Sequence, residues 1–222
     1  MRVVAITSWQ WIWGHRVTIL SLLRQHAALT VIAVGIGLAI SLPLGLLAYR
    51  HGAAYGPITS LAGLLYTIPS LALFALLTPF TGLSITTAEI GLVSYTLLIL
   101  IRNIVAGLRT VPEDVKDAAR GMGYGRRQLL WRVELPLAIP AIAAGVRVAT
   151  VSTIGLITVA ALIGKGGLGQ LITEGLRILY PTEILTGALL SVVVALIADA
   201  LLLFAERALT PWATRRAVRV VD

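Results

Sequence analysis

Few residues in this chain of 222 have side chains suited to chemistry, and those few are scattered. There is no Cys, which excludes disulfides, thiol catalysis and Cys-based metal sites. His15, His26 and His51 lie far apart without metal-ligand spacing, so they read as interfacial or loop residues and no metal site is expected. No Ser–His–Asp arrangement is visible. Gly121, Gly123 and Gly125 hint at a dinucleotide fingerprint, but Arg126 stands where the third glycine belongs and no strand precedes it. The run GKGGLG at 164–169 invites a phosphate-loop reading and fails it, because Lys165 is followed by Gly166 rather than Ser or Thr. What remains is a set of polar residues inside apolar runs. Asn103, Arg147 and Asp199 are too costly in lipid to be idle; they pair across helices or face a polar path. Arg102 is near enough to one end of its run to snorkel out. Glu89 and Glu183 fall near the other side.

The elements that carry these residues are membrane spans. The chain is 58% hydrophobic and 13% charged, with a mean hydropathy of +0.92. A soluble domain keeps about a quarter of its residues charged. Five stretches approach the ~20 apolar residues needed to cross a bilayer: roughly 28–49, 57–80, 88–108, 137–163 and 184–205. The expected fold is therefore all-α, a polytopic membrane helix bundle of about five transmembrane helices. The net charge of +8 does not point to nucleic acid, because the basic residues flank apolar runs rather than forming a face interleaved with aromatics. They segregate by side. Arg50, Arg102, Arg109, Lys116, Arg120, Arg126, Arg127, Arg132, Arg207, Arg215, Arg216 and Arg219 fall on one side; Arg2, Arg16, Arg24, Lys165 and Arg177 fall on the other. The positive-inside rule puts the first group and the C-terminus in the cytoplasm and the N-terminus outside. Residues 1–27, with three Trp and scattered Arg, read as an interfacial amphipathic segment, 28–206 as the transmembrane domain and 207–222 as a basic cytoplasmic tail. No cleaved signal peptide is expected.

Small residues recur every four positions in two spans, as Ala33, Gly37, Ser41 and Gly45, and as Ala141, Gly145, Ala149 and Thr153. Such stripes let backbones approach closely, either within the bundle or at a seam between subunits. Pro43 and Pro69 lie inside apolar runs and are expected to kink their helices. Tyr66, Phe74 and Tyr95 are the few aromatics placed to line a path, so Tyr66, Pro69, Tyr95, Asn103, Arg147 and Asp199 form the candidate translocation path. Gly164, Gly166, Gly167 and Gly169 form a candidate flexible outer gate.

The cytoplasmic loop at about 109–136 is too elaborate for a passive connector. Thr110 and Glu113 match a capping box, acidic residues lead and basic residues follow along the next helix, and glycines stop it. A second short helix, about 126–135, is expected to end before Pro136. Ala118 and Ala119 leave the backbone open for docking. DAARGMG followed after nine residues by VELP resembles the cytoplasmic signature of ABC importer permeases, Glu-Ala-Ala, three residues, Gly, nine residues, Ile, one residue, Leu-Pro. Its places are held by Asp117, Ala118, Ala119, Gly123, Val133, Leu135 and Pro136, with Asp for Glu and Val for Ile. TIPSLALFALL, IRNIVAGL, AGVRVATV and AALIGKGGLGQLI look like the osmoprotectant branch, which handles glycine betaine, carnitine and choline. Methionine-type permeases share the small five-span, type I architecture.

The resemblance implies the permease subunit of a bacterial inner-membrane importer working by alternating access, not itself an enzyme. It implies a coupling loop that docks on cytoplasmic ABC ATPase subunits, with ATP and Mg on that partner and no cofactor on this chain. It also implies a second permease copy or paralogue and an external substrate-binding protein. The rival readings are a permease for another small solute such as methionine, and an ion-coupled secondary transporter for which Asp199 is the obvious carboxylate.

Overall fold

The structure is a computed structural model, and it describes residues 8–212. Residues 1–7 and 213–222, including Arg2, Arg215, Arg216 and Arg219 and most of the basic tail expected at 207–222, lie outside the described residues. Ten α-helices are described: α1 (Trp9–Gly14), α2 (Arg16–Arg50), α3 (Gly52–Thr67), α4 (Ser70–Thr81), α5 (Ile85–Arg109), α6 (Glu113–Gly121), α7 (Arg126–Leu129), α8 (Leu135–Ala160), α9 (Gly169–Arg177) and α10 (Pro181–Leu209). α7 runs through a π-turn, Leu130–Glu134, directly into α8. Four of these helical stretches are long and apolar enough to cross a membrane singly, and α3 with α4, bent by 94°, brings the number to five if the pair counts as one span.

α5 is the axis of the bundle. Gly37 of α2 meets Thr96, and Gly45 meets Ile104, so the two helices run parallel in one constant register. Ala33 packs with Leu92 in the same core cluster. On the other side Gly107 meets Ala138 and Ala141, while Gly145 meets Asn103, so α8 runs antiparallel to α5. The two small-residue stripes thus have one explanation, close approach to α5 from both flanks. A Cβ on Gly45 would stand 2.7 Å from Ile104 Cγ2. In lipid, where no hydrophobic force gathers helices, this backbone-to-side-chain fit supplies the attraction.

Several elements differ from the sequence expectation. α2 starts at Arg16, so no helix boundary falls at 27–28. Nothing between 16 and 34 breaks a helix, and at 1.5 Å per residue α2 is about 52 Å long, well beyond a ~30 Å hydrocarbon core. The helix passes Pro43 without a break. Pro69 does more than kink. Its preceding residue Ile68 is extended (φ −65°, ψ 127°), as Cδ crowding requires, and the span splits into α3 and α4. Thr110 does not cap α6; its hydroxyl bonds back to the Gly107 carbonyl at 2.7 Å and Pro112 takes the N-cap position. Nor does the helix after Arg126 stop at Pro136. The π-turn widens the backbone there, with Leu135 N–H reaching Leu130 O, so the proline ring is accommodated without a break.

The register predicts a sharp contrast. Gly37→Leu forces a side chain into Thr96 and should destabilise the detergent-solubilised protein by about 1–3 kcal/mol, the usual overpacking cost. Gly63→Ala, with nothing near the new Cβ, should leave the melting temperature unchanged or raised. Thermal unfolding of the two variants in one detergent checks this.

Candidate functional site

Two regions of the bundle gather most of the candidate functional residues. At the end where α2 finishes and α8 begins, α6 is seated by a buried lysine. Lys116 is 5% exposed; its ammonium pairs with Glu113 at 2.8 Å and lies 5.8 Å from the Tyr49 ring centroid. Tyr49 in turn donates to Glu134 Oε1 at 2.9 Å. Burial pulls the Lys116 pKa down, but the pair with Glu113 and the nearby Tyr49 outweigh it and the pKa sits above the ordinary lysine value. One chain of contacts therefore ties α6 to α2 and to the π-turn that leads into α8.

That seat orients the signature residues. Ala119 is buried beneath α6, whereas Asp117 and Ala118 face outward, with Asp117 held by Arg120 at 2.5 Å. α6 then ends in a Schellman turn, Gly123 N–H to Arg120 O and Tyr124 N–H to Ala119 O. Gly123 takes φ +86°, which any side chain would strain. Val133, Leu135 and Pro136 are half-buried at the foot of α8. Beside α6 a cavity of about 680 Å³ is lined by Arg50, His51, Arg120 and Arg126 together with Tyr49 and Glu134, so this face is basic.

The second region lies at the break between α3 and α4. The broken helix leaves the Ile68 carbonyl without an intrahelical partner, and the Tyr95 hydroxyl from α5 donates to it. Tyr66 stands edge-on to Tyr95, with ring centroids 5.7 Å apart. Pro69, Ser70, Thr96, Ile99, Ser152 and Thr153 join these two rings around a cavity of about 310 Å³. Tyr66, Pro69 and Tyr95 are thus brought together.

The other candidate path residues are elsewhere. Asn103 donates to Ile99 O at 2.8 Å and fills the space over Gly145 at the α5–α8 crossing. Arg147 makes a two-pronged pair with Asp199, 2.9 and 3.0 Å, and a third contact to Glu206 at 3.5 Å. This clamp joins α8 to α10, and neither of its first two residues lines the cavity.

At the opposite end from α6, the glycine segment is wedged rather than loose. Gly164 and Gly167 have φ of +75° and +50°, a Cβ on Gly167 would stand 2.7 Å from His26 Cβ, and one on Gly169 would stand 2.5 Å from Thr158 Cα. His26 is not a loop residue: it is fully buried, and its Nδ1 accepts from Leu168 N–H at 3.3 Å. The periodicity of α2 at that end, with Leu29, Thr30 and Ala33 on the same face, carried the signal. Glu89 is also buried, with no hydrogen-bond partner for either oxygen. Among the described residues no cluster of His, Asp and Glu has a geometry to hold a metal ion.

Comparison with known proteins gives this geometry its context. Residues 37–215 match the family described as binding-protein-dependent transport system inner membrane component. The choline transport system permease protein of Bacillus subtilis is 36% identical over 86% of this chain and 88% of its own length. The osmoprotectant import permease of Salmonella typhimurium is 38% identical over 86% and 91%. The carnitine transport permease of Listeria monocytogenes is 38% identical over 87% and 88%. Among solved structures, the MetNI methionine ABC transporter, captured in inward-facing conformations, superposes with a TM-score of 0.80 at 23% identity, over 92% of this chain and 100% of that one. The fold is that of its permease, and the chain belongs to the family of binding-protein-dependent transport system inner membrane components.

Proposed function

We propose that the chain is the permease through which an ATP-driven importer moves a small osmoprotectant such as glycine betaine, carnitine or choline by alternating access. The observation that carries the reading is α6, a short helix seated by Lys116 with Asp117 and Ala118 turned away from the bundle, in a chain whose relatives are permeases for such solutes. α6 docks in a cleft of a cytoplasmic ATPase, whose bound ATP and Mg supply the energy. When the ATPase pair closes, α6 moves, and the Lys116–Tyr49–Glu134 contacts pull on α2 and α8 together. Rigid helices then repack between two states rather than deforming. The basic cavity beside α6 suits acidic side chains on the ATPase. Two such permeases, identical or paralogous, enclose the path. An external binding protein delivers solute to the end marked by α9, with the N-terminus outside and the C-terminus in the cytoplasm. Gly164, Gly166, Gly167 and Gly169 gate that outer end as part of a packed turn that moves with α9.

The ion-coupled alternative loses its carboxylate, because Asp199 is held by Arg147. The methionine alternative rests on likeness of fold, whereas the nearer sequence relatives are named for choline, osmoprotectants and carnitine.

Proteoliposomes holding the chain with its ATPase and binding protein should accumulate labelled glycine betaine or choline only with ATP inside the vesicle compartment that bears the ATPase. Uptake that persists without ATP refutes the proposal. Gly123→Val should leave membrane insertion intact yet cut uptake at least about tenfold, because strain of ~1–2 kcal/mol unmakes the turn that ends α6. Lys116→Met removes the pair with Glu113 and should lower the ratio of solute moved to ATP hydrolysed. The raised Lys116 pKa fixes the sign of the pH effect. From neutral pH up to the ordinary lysine value of ~10.4 the ion pair lends its full stability, and it loses it as pH rises through the higher folded value. Coupling ratios measured from neutral to about pH 9 should therefore be flat in the wild type.

A further inference from the structure

Many hydroxyl groups in the spans follow one rule; among those that do not, which include the buried Ser41 of α2, three come together at one cavity. Thr30, Thr59, Thr78, Ser94, Thr150 and Ser191 each donate to the carbonyl one turn back along their own helix. Back-bonding is the ordinary way to satisfy a hydroxyl where no water is at hand. The hydroxyls of Ser70, Ser152 and Thr153 make no hydrogen bond among the described residues, and all three residues line the cavity at the α3–α4 break. Two rings line the same cavity. Tyr95 is buried and fixed by its bond to the Ile68 carbonyl, and Tyr66, 43% exposed, stands edge-on beside it.

Charge is missing from the wall: none of its residues is Asp, Glu, Lys or Arg. A primary ammonium has three N–H donors and needs strong acceptors around it. A quaternary ammonium has none. It is held instead by the negative faces of aromatic rings. The volume of about 310 Å³ lies at the lower edge of the ~300–1,000 Å³ common for small-ligand sites, enough for one small solute.

We propose that this cavity is a transit site for a quaternary ammonium solute. The onium group rests against Tyr66 and Tyr95, and its hydroxyl or carboxylate end bonds to Ser70, Ser152 and Thr153. The permease then selects its cargo itself, after the binding protein has let it go. This rests on the importer reading above and sharpens it, since that reading needs no selectivity within the membrane.

The test is equilibrium binding of labelled choline to the purified full-length chain in complex with its ATPase, with no binding protein present. Saturable binding is expected. The neutral isostere 3,3-dimethylbutan-1-ol should compete at least about tenfold more weakly than unlabelled choline, because it fills the same shape without the charge that ring faces attract. Tyr66→Phe should bind within about twofold of wild type, and Tyr66→Leu at least about tenfold more weakly. Absence of saturable binding, equal competition by the isostere, or unchanged binding by Tyr66→Leu overturns the transit site. Should Tyr66→Leu fail to assemble, the isostere comparison on wild type decides alone. ATP-driven uptake without choline binding by the complex removes the transit site and leaves the importer standing. Binding without ATP-driven uptake removes the importer and leaves the site.

Discussion

Everything in this bundle depends on α5 being gripped from both sides at backbone distance. Gly37 and Gly45 on α2, and Gly145 on α8 facing Asn103, have no side chain where α5 needs room. The register along α2 is constant, so one stripe of small residues meets one stripe of larger ones: Thr96, Leu100 and Ile104 project into the grooves left by Gly37, Ser41 and Gly45. A bundle held this way has no hydrophobic force to draw its helices together and depends on fit. Fit is all-or-none in a packed interior, so the bundle shifts by exchanging one packing for another rather than by stretching.

The break at Ile68–Pro69 is the other side of the same constraint. A lipid-facing helix cannot end in mid-membrane, because the freed carbonyl has no water to meet. Here α5 supplies the missing partner through Tyr95. The central helix therefore positions its neighbours and also licenses the irregular backbone that opens a cavity beside it. That cavity combines a broken helix, two aromatic rings and unspent hydroxyls, the kind of polar interior that membrane proteins tolerate only where it is shielded by protein.

Much of this was legible in the residues, and the misses have physical causes. The spans followed from hydropathy, and the spacing Asp117-Ala118-Ala119, Gly123, Val133, Leu135, Pro136 marked the loop. Tyr66, Pro69 and Tyr95 stand out in the sequence alongside Asn103, Arg147 and Asp199 because few polar or aromatic residues occur in the runs, and only the first three meet at the cavity. Hydropathy does not mark the start of α2, because polarity at its N-terminal end changes the solvent and not the helix. Thr110 and Glu113 have the spacing of a capping box, yet Val111–Pro112 forces an extended entry that the spacing does not encode. His26 looked like a loop residue because its partner, the Leu168 N–H, comes from the far end of the chain. Arg147 and Asp199 were readable as a pair, but their exclusion from the cavity depends on where α10 packs, which no local pattern fixes.

The two regions are mechanically one object. Glu134 closes the contact chain from Lys116 and Tyr49, and the helix that begins there carries Ser152 and Thr153 into the cavity. The separation is roughly 27 Å at 1.5 Å rise per residue. Pro136 and Pro140 would ordinarily weaken such a rod, but the π-turn absorbs the first and α8 continues past the second. A tug on α6 therefore arrives at the cavity as a displacement of α8 against α5, along the seam where Gly145 rides over Asn103. α2 is tied to the same contact chain through Tyr49, so a displacement of α6 would reach both helices flanking α5. A cavity walled by α5 and α8 has to change shape when one slides on the other. The same small residues that let these helices touch thus set how a displacement of α6 is felt at the cavity.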